Sequence, residues 1–294
     1  MHAADLEAQR SRAVRRVLLV ILVANLLVVA LKAAVGFATG SLAVMGDALH
    51  ASVDAINNLF GLAVVRVASR GPDADHPYGH AKAETLGALV IVVFLSITLS
   101  QLLDHSIERL LSGHAPPEAP PLALGVLVLT AAVNLGVVAY ETREGRRLHS
   151  EFLIADAHHT RADVLITLAV LAGLLLSRAG LAWADPVLAL LVAAMVVRIA
   201  GQILRQALPT LMDEAAVEGE ALARAARGVA GVCDAYGTRS RRAGAQNFAE
   251  LTISVEGAAS VARGHEIADA VEAALRSEFG LREVVVHVEP CDEC

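Results

Sequence analysis

Long apolar segments alternate with short polar connections over most of the chain. Six of these segments reach the roughly 20 residues that an α-helix needs to cross a bilayer. They lie at about 14–38, 42–68, 84–110, 121–142, 152–178 and 183–206. We therefore predict six transmembrane helices. The first segment is too long for a signal peptide and lacks a clear cleavage site, so we interpret it as the first membrane helix.

The pattern changes near Pro209, where apolar positions begin to alternate with polar ones. Five shorter elements follow in the order helix, strand, strand, helix, strand. They lie at 214–228, 231–241, 246–257, 264–279 and 284–288. This order predicts a small α+β domain, ferredoxin-like or metallochaperone-like, of about 85 residues. We expect two domains, a membrane domain over 1–208 and a soluble domain over 209–294.

The composition agrees with a membrane protein. The chain has 294 residues, of which 55% are hydrophobic and only 19% are charged, whereas about a quarter of a soluble domain is usually charged. The net charge of −7 is modest and no basic block is present, so the sequence does not indicate nucleic-acid binding.

Loop charges predict the orientation in the lipid bilayer. Lys and Arg are frequent in the N-terminal arm and in the 66–82 and 143–150 loops, whereas the 39–41 turn and the 112–120 loop have none. Because basic loops stay in the cytoplasm, we expect both termini there, in a multi-pass protein of the inner (plasma) membrane.

The second and fifth segments carry the same polar pattern, D-x-x-H-x-x-x-D. Its members are Asp47, His50 and Asp54 in one segment and Asp156, His159 and Asp163 in the other. At about 100° per residue, each trio falls within an arc of roughly 60° on one helix face. A charged group in hydrocarbon costs roughly 2.5–3.5 kcal/mol, so four unpaired aspartates would cost about 10 kcal/mol. A divalent cation held between the two helices would compensate.

Four of these residues form a plausible ligand set. His50, Asp54, His159 and Asp163 offer two nitrogens and two carboxylate oxygens, a tetrahedral set suited to Zn²⁺.

Three further polar residues lie close to that set along the two helices. Asp47 and Asp156 are one turn away, and Asn57 continues the strip of the second segment. We expect Asn57 to hydrogen-bond the ligands, and the two aspartates either to do so or to handle protons.

The loop between the second and third segments contains another metal-ligand trio. Asp73, His76 and His80 lie on a short stretch that Pro77 and Gly79 can fold into a tight turn. The alternative is a solvated loop in which the histidines are incidental.

These features together resemble the cation diffusion facilitators, proton-coupled exporters of zinc and related metals. The resemblance rests on H-x-x-x-D in spans two and five, on the loop from Asp73 to Glu84 (DADHPYGHAKAE), and on the C-terminal αββαβ order. It implies a homodimer that alternates between inward- and outward-facing states. It also implies that the loop trio is a second zinc site, and that the soluble domain regulates transport when it binds metal.

The resemblance further implies regulatory metal ligands in the soluble domain. The matching positions are Asp234, His265, His287 and Glu289, although Thr252 stands where some members place a further histidine.

Cysteines offer a substitute for that missing ligand, because thiolates bind zinc strongly. Cys291 and Cys294, with Cys233, could complete a site, and a frayed tail is the alternative. An odd number of cysteines with a terminal C-x-x-C fits a reducing compartment and metal binding better than a disulfide framework.

We therefore expect a secondary transporter, not an enzyme, that exports Zn²⁺ in exchange for protons. Co²⁺, Cd²⁺, Ni²⁺ and Fe²⁺ could use the same ligands. One alternative is a membrane-anchored metal sensor that does not transport. An intramembrane zinc hydrolase is disfavoured, because four protein ligands leave no position for catalytic water and H-E-x-x-H is absent from the sequence.

Overall fold

Six long helices form the N-terminal part of the chain. The computed structural model describes residues 3–39, 42–112, 121–179, 181 and 183–291, and the side chains of Asp47 and His50 are outside this description. The helices are α1 (Ala3–Thr39), α2 (Leu42–Ala68), α3 (Ala83–Ser112), α4 (Pro121–Leu148), α5 (Glu151–Arg178) and α6 (Ala184–Leu211). Each is long and apolar enough to cross a membrane. The prediction of six transmembrane helices is confirmed.

The helix ends differ from the apolar segments. Helix α1 begins well before residue 14, and α4 continues past residue 142 to Leu148. The extension of α1 is rich in Ala and that of α4 in Arg, and both residue types favour helix. Their charged residues make both extensions too polar for hydrocarbon. Hydropathy therefore marks where a helix lies in lipid and underestimates its full length.

The burial pattern of this bundle is that of a protein surrounded by lipid. Leu18, Ile91 and Leu95 are completely buried between helices. Large apolar side chains such as Leu27 and Phe37 instead point outward, with 67% and 77% of their surface exposed. In water such exposure would be unfavourable, whereas a bilayer solvates these side chains.

Two glycines allow α5 to approach α2 and α3 closely. The ring of Phe152, at the start of α5, is fully buried. A Cβ atom on Gly61 of α2 would lie 2.3 Å from Phe152 Cε1, and one on Gly87 of α3 would lie 2.9 Å from Cδ2. Because real Cβ contacts are never this short, only glycine admits the ring at both positions.

Arg10 links α1 to two other parts of the bundle. Its guanidinium donates to both carboxylate oxygens of Glu84 on α3, at 2.9 and 3.1 Å. It also donates to the carbonyl oxygens of Leu148 and His149, at 2.6 and 2.9 Å, in the turn between α4 and α5. Ser150 donates a further hydrogen bond to Glu84, at 2.8 Å. A nearly buried carboxylate is thus fully paired at this end of the bundle.

A second compact unit begins after Ala207 and contains the remaining elements. These are α7 (Gly219–Arg227), β1 (Asp234–Ala243), β2 (Gln246–Glu256), α8 (Val261–Phe279) and β3 (Glu283–Cys291). The predicted αββαβ order is confirmed.

The three strands form one sheet in the order β1-β2-β3. β1 and β2 pair antiparallel, whereas β2 and β3 pair parallel and are joined by α8. Leu222 of α7, Leu251 and Ile253 of β2, and Val271 and Leu275 of α8 form one apolar core. This core is independent of the membrane helices, so the unit has what a small domain needs to fold.

The glycine contact predicts a sharp difference between two Gly→Ala substitutions. Gly61→Ala should destabilise the protein by about 1–3 kcal/mol, because the new methyl group collides with Phe152. Gly136→Ala, on α4, should be neutral or stabilising, because a Cβ there meets nothing within 4 Å and Ala is the better helix former. Thermal unfolding of the two purified variants measures this. Equal midpoints would contradict the proposed contact.

Candidate metal centre

Three potential ligands meet between α2 and α5. His159 Nε2 lies 3.6 Å from Asp54 Oδ1 and 3.7 Å from Asp163 Oδ2. One ligand atom from each residue lies within 4.8 Å of the others. His159 and Asp163 are buried and Asp54 is half-buried. The structure thus brings together three of the four residues predicted for the transport site, and the side chain of His50 lies outside the described part.

The distances in this cluster fit a small cation better than direct hydrogen bonds. At 3.6 and 3.7 Å the imidazole nitrogen is beyond hydrogen-bonding distance of either carboxylate. Donor atoms about 2.05 Å from a tetrahedral Zn²⁺ are about 3.3 Å apart. A contraction of a few tenths of an ångström would therefore bring His159 to the ligand spacing from each carboxylate, and the ligand atoms of the two carboxylates lie within 4.8 Å of each other.

A buried hydrogen-bond network lies one helical turn from this cluster. Asn57 and Asn58 of α2 donate to the two carboxylate oxygens of Asp156 on α5, at 2.7 and 3.0 Å. Asn25 of α1 donates to the Asn58 amide oxygen at 2.8 Å. Asn57 and Asp156 hydrogen-bond each other, and the expectation that they support the ligands, or that Asp156 handles protons, stays a prediction. Asp47 lies outside the described side chains.

Glu141 on α4 is a further buried carboxyl that the sequence analysis missed. It is completely buried and lies close to the Asp156 side chain. Among the described residues neither of its carboxyl oxygens has a geometric hydrogen-bond partner. The predicted fourth segment ended at residue 142, which placed Glu141 at the membrane surface, whereas the longer α4 places it inside the bundle. A single carboxyl in an otherwise apolar stretch was the available signal.

The loop between α2 and α3 brings its predicted trio together. Asp73 Oδ1 lies 3.3 Å from His76 Nδ1, and Asp73 Oδ2 lies 3.4 Å from His80 Nε2. One ligand atom from each of the three residues lies within 4.8 Å of the other two. Gly79 permits the turn with a positive φ of 81°.

Backbone contacts orient the Asp73 and His80 side chains in this loop. The backbone N–H of His76 donates to Asp73 Oδ1 at 2.7 Å, and this hydrogen bond lowers the pKa of Asp73 below its ordinary value. His80 Nδ1 lies 3.3 Å from the Gly71 carbonyl oxygen. Since a carbonyl can only accept, this contact places a proton on Nδ1, and in the neutral imidazole the Nε2 lone pair then faces Asp73.

The residues predicted as ligands in the soluble unit lie in separate pairs. Asp234 accepts a hydrogen bond from Arg227 Nε at 2.8 Å, which lowers the pKa of the aspartate. His265 lies 3.7 Å from Asp269 on the exposed face of α8.

On β3, His287 Nε2 lies 3.4 Å from Glu289 Oε1. Cys291 ends the strand and Cys294 lies outside the described residues. Cys233 is disulfide-bonded, so the expectation that it offers a free thiolate to a metal is wrong. Within residues 208–291 of a single chain, no three of the described ligand atoms meet as they do at the other two clusters. A C-terminal metal site therefore stays a prediction.

Family models match both units of the chain. Residues 18–212 match the cation efflux transmembrane domain, and residues 216–291 match the cation efflux protein cytoplasmic domain. The chain belongs to the cation diffusion facilitator family, as its motifs predicted. Members of this family are transporters and not enzymes, which removes the hydrolase alternative.

Named relatives align over nearly the whole chain. An uncharacterised transporter of Methanocaldococcus jannaschii is 30% identical, over 96% of this chain and 100% of the relative. The manganese efflux system protein MneP of Bacillus subtilis is 28% identical, over 96% and 98%. The cation-efflux pump FieF of Cronobacter sakazakii is 31% identical, over 94% and 92%. A solved MamM CTD, 28% identical, covers 25% of this chain and 92% of its own, with a TM-score of 0.24.

The carboxyl pair predicts that Glu141→Gln stabilises the protein. A glutamine amide can donate to Asp156 at any pH, whereas Glu141 donates only when it is protonated and repels Asp156 when both are ionised. We expect a gain of about 1 kcal/mol in the free energy of unfolding, measured by denaturation of the purified protein. Glu108→Gln, at an exposed position of α3, should change it by less than about 0.5 kcal/mol. A loss of stability in Glu141→Gln would contradict this account of the pair.

Proposed function

We propose that this cation efflux protein exports Zn²⁺ from the cytoplasm in exchange for protons. The observation that carries the proposal is the buried convergence of Asp54, His159 and Asp163 between two membrane helices. We include His50 as the fourth ligand, because it lies one turn before Asp54 on the same face of α2. No lipid-facing role accounts for two carboxyls and an imidazole at this position.

The ligand types favour zinc among divalent metals. Imidazole nitrogen suits Zn²⁺, whereas Mn²⁺ prefers oxygen ligands. One relative is named for manganese efflux, so Mn²⁺ is the most informative competitor. Co²⁺, Cd²⁺, Ni²⁺ and Fe²⁺ accept the same donors, and the proposal extends to them as weaker substrates.

Proton exchange follows from the chemistry of these ligands. A histidine binds metal only when unprotonated, so protons and Zn²⁺ compete for the same nitrogen. In the inward-facing state, deprotonated ligands would load Zn²⁺ from the cytoplasm. In the outward-facing state, protons would displace the ion. Because protons and Zn²⁺ compete for the same ligands, Zn²⁺ export would be coupled to proton entry.

The other parts of the chain receive supporting roles in this proposal. Asp73, His76 and His80 would bind a second Zn²⁺ at the cytoplasmic surface, and the domain over 209–294 would dimerise the protein and respond to metal. Both termini would lie in the cytoplasm, at the plasma membrane. The basic 66–82 and 143–150 loops support this orientation.

Flux measurements test transport through the proposed site. In proteoliposomes with a proton gradient, Asp54→Ala and Asp163→Ala should each lower Zn²⁺ flux by at least about a hundredfold, more than removing a supporting group usually does. Asp104→Asn, at an exposed carboxylate of α3, serves as the control and should retain flux. Undiminished flux in both alanine variants would exclude the site. Zn²⁺ binding without flux in the unmodified protein would favour the metal-sensor alternative.

A single substitution tests the choice of metal. His159→Asp replaces the imidazole by a carboxylate, so the ratio of Zn²⁺ flux to Mn²⁺ flux should fall by about tenfold or more. His149→Asp, at an exposed residue of the α4–α5 turn, adds the same charge away from the site and should leave the ratio unchanged. An unchanged ratio in His159→Asp would show that this histidine does not select the ion.

A further inference from the structure

A cavity of about 320 Å³ lies between α4, α5 and α6, formed by residues other than the clustered ligands of the metal centre. Three of its lining residues carry basic groups, namely Arg146 on α4 and His158 and Arg161 on α5. Apolar side chains, among them Leu135, Val138 and Val164, complete much of the wall. The cavity thus combines a basic region with an apolar one.

The lining includes no acidic residue to balance these groups. Within the described part of the chain, Arg146 and Arg161 form no ion pair and no hydrogen bond through their side chains. Both guanidinium groups are near enough to His158 to act on it electrostatically. Arg161 lies about 15 Å along α5 from Glu151, at 1.5 Å per residue. Arg146 and Arg161 are exposed, and because an unpaired guanidinium that faces hydrocarbon is costly, an anion in the cavity would be favourable.

The order of the lining residues indicates what kind of anion fits. Helices α4 and α5 run antiparallel from a short turn, and Arg146 lies closest to that turn. Arg161 and Val138 are each ten residues from the end of their helix at this turn, and Leu135 and Val164 lie about one turn deeper. The basic groups therefore extend from the turn to the depth of Arg161, and the lining of α4 and α5 beyond that depth is apolar. An amphiphile with an anionic head matches this order.

We propose that the cavity binds the headgroup of one anionic phospholipid. Arg146 and Arg161 donate hydrogen bonds to the phosphate oxygens, as arginine does in planar recognition of phosphate. The first carbons of an acyl chain lie along Leu135 and Val138. A volume of about 320 Å³ accommodates a headgroup and these carbons. Basic pockets between membrane helices are known to take such headgroups.

Native mass spectrometry of the full-length protein in detergent tests the proposal. Titration with phosphatidylglycerol and with phosphatidylcholine of the same acyl chains should show preferential binding of the first phosphatidylglycerol. Arg146→Gln and Arg161→Gln should each weaken that binding by about fivefold. Arg66→Gln is the matched control, because Arg66 is an exposed arginine in the last turn of α2, outside the cavity lining.

Several results would overturn the proposal. Equal binding of the two lipids would remove the need for an anionic headgroup. An equal loss in Arg66→Gln would indicate diffuse surface charge and no defined site. Full displacement of phosphatidylglycerol by inorganic phosphate would assign the cavity to a soluble anion. Arg161 is two residues from both His159 and Asp163, so Arg161→Gln could disturb the fold. If that variant does not fold, the result for Arg146→Gln alone decides the test.

Discussion

The hydrogen bonds from Asn57 and Asn58 to Asp156 are the constraint on which the geometry of the candidate metal centre depends. A carboxylate in hydrocarbon must find donors within the protein, because no water is there to supply them. Both donors come from α2, at 2.7 and 3.0 Å, so α5 is held against α2 in one register. Asp54 and His159 lie one turn beyond this contact on their respective helices, and the same register therefore places them opposite each other.

Side-chain packing sets the distance between α5 and its neighbours α2 and α3, whereas the hydrogen bonds set their register. Phe152 fills the space that Gly61 and Gly87 leave open, so α5 can approach α2 and α3 only as closely as the ring permits. At the end of the bundle, Arg10 links α1 and α3 to the α4–α5 turn. The result leaves Asp54 Oδ1 and His159 Nε2 3.6 Å apart. That separation is too wide for a direct bond and close to that of two donors on one ion.

Hydropathy and spacing predicted much of this architecture, and their failures have physical causes. The six spans, the αββαβ order and the two clusters containing His159 and His80 follow from periodicity and short-range spacing. Glu141 did not, because its position depends on how far a helix continues after its apolar residues end. Asn58 also escaped notice, since periodicity identifies the face of a helix and not the partner opposite that face. The separated pairs around Asp234 and His287 were not foreseen either, because Asp234 is bound by Arg227 of the preceding helix and His287 lies beside Glu289 of its own strand.

Anomalous diffraction at the zinc edge, from crystals of the full-length protein grown with Zn²⁺, tests the central claim most directly. The account predicts a peak between α2 and α5, about 2 Å from ligand atoms of Asp54, His159 and Asp163. Zinc found at the loop of Asp73 and His80, with no peak between the two helices, would contradict it.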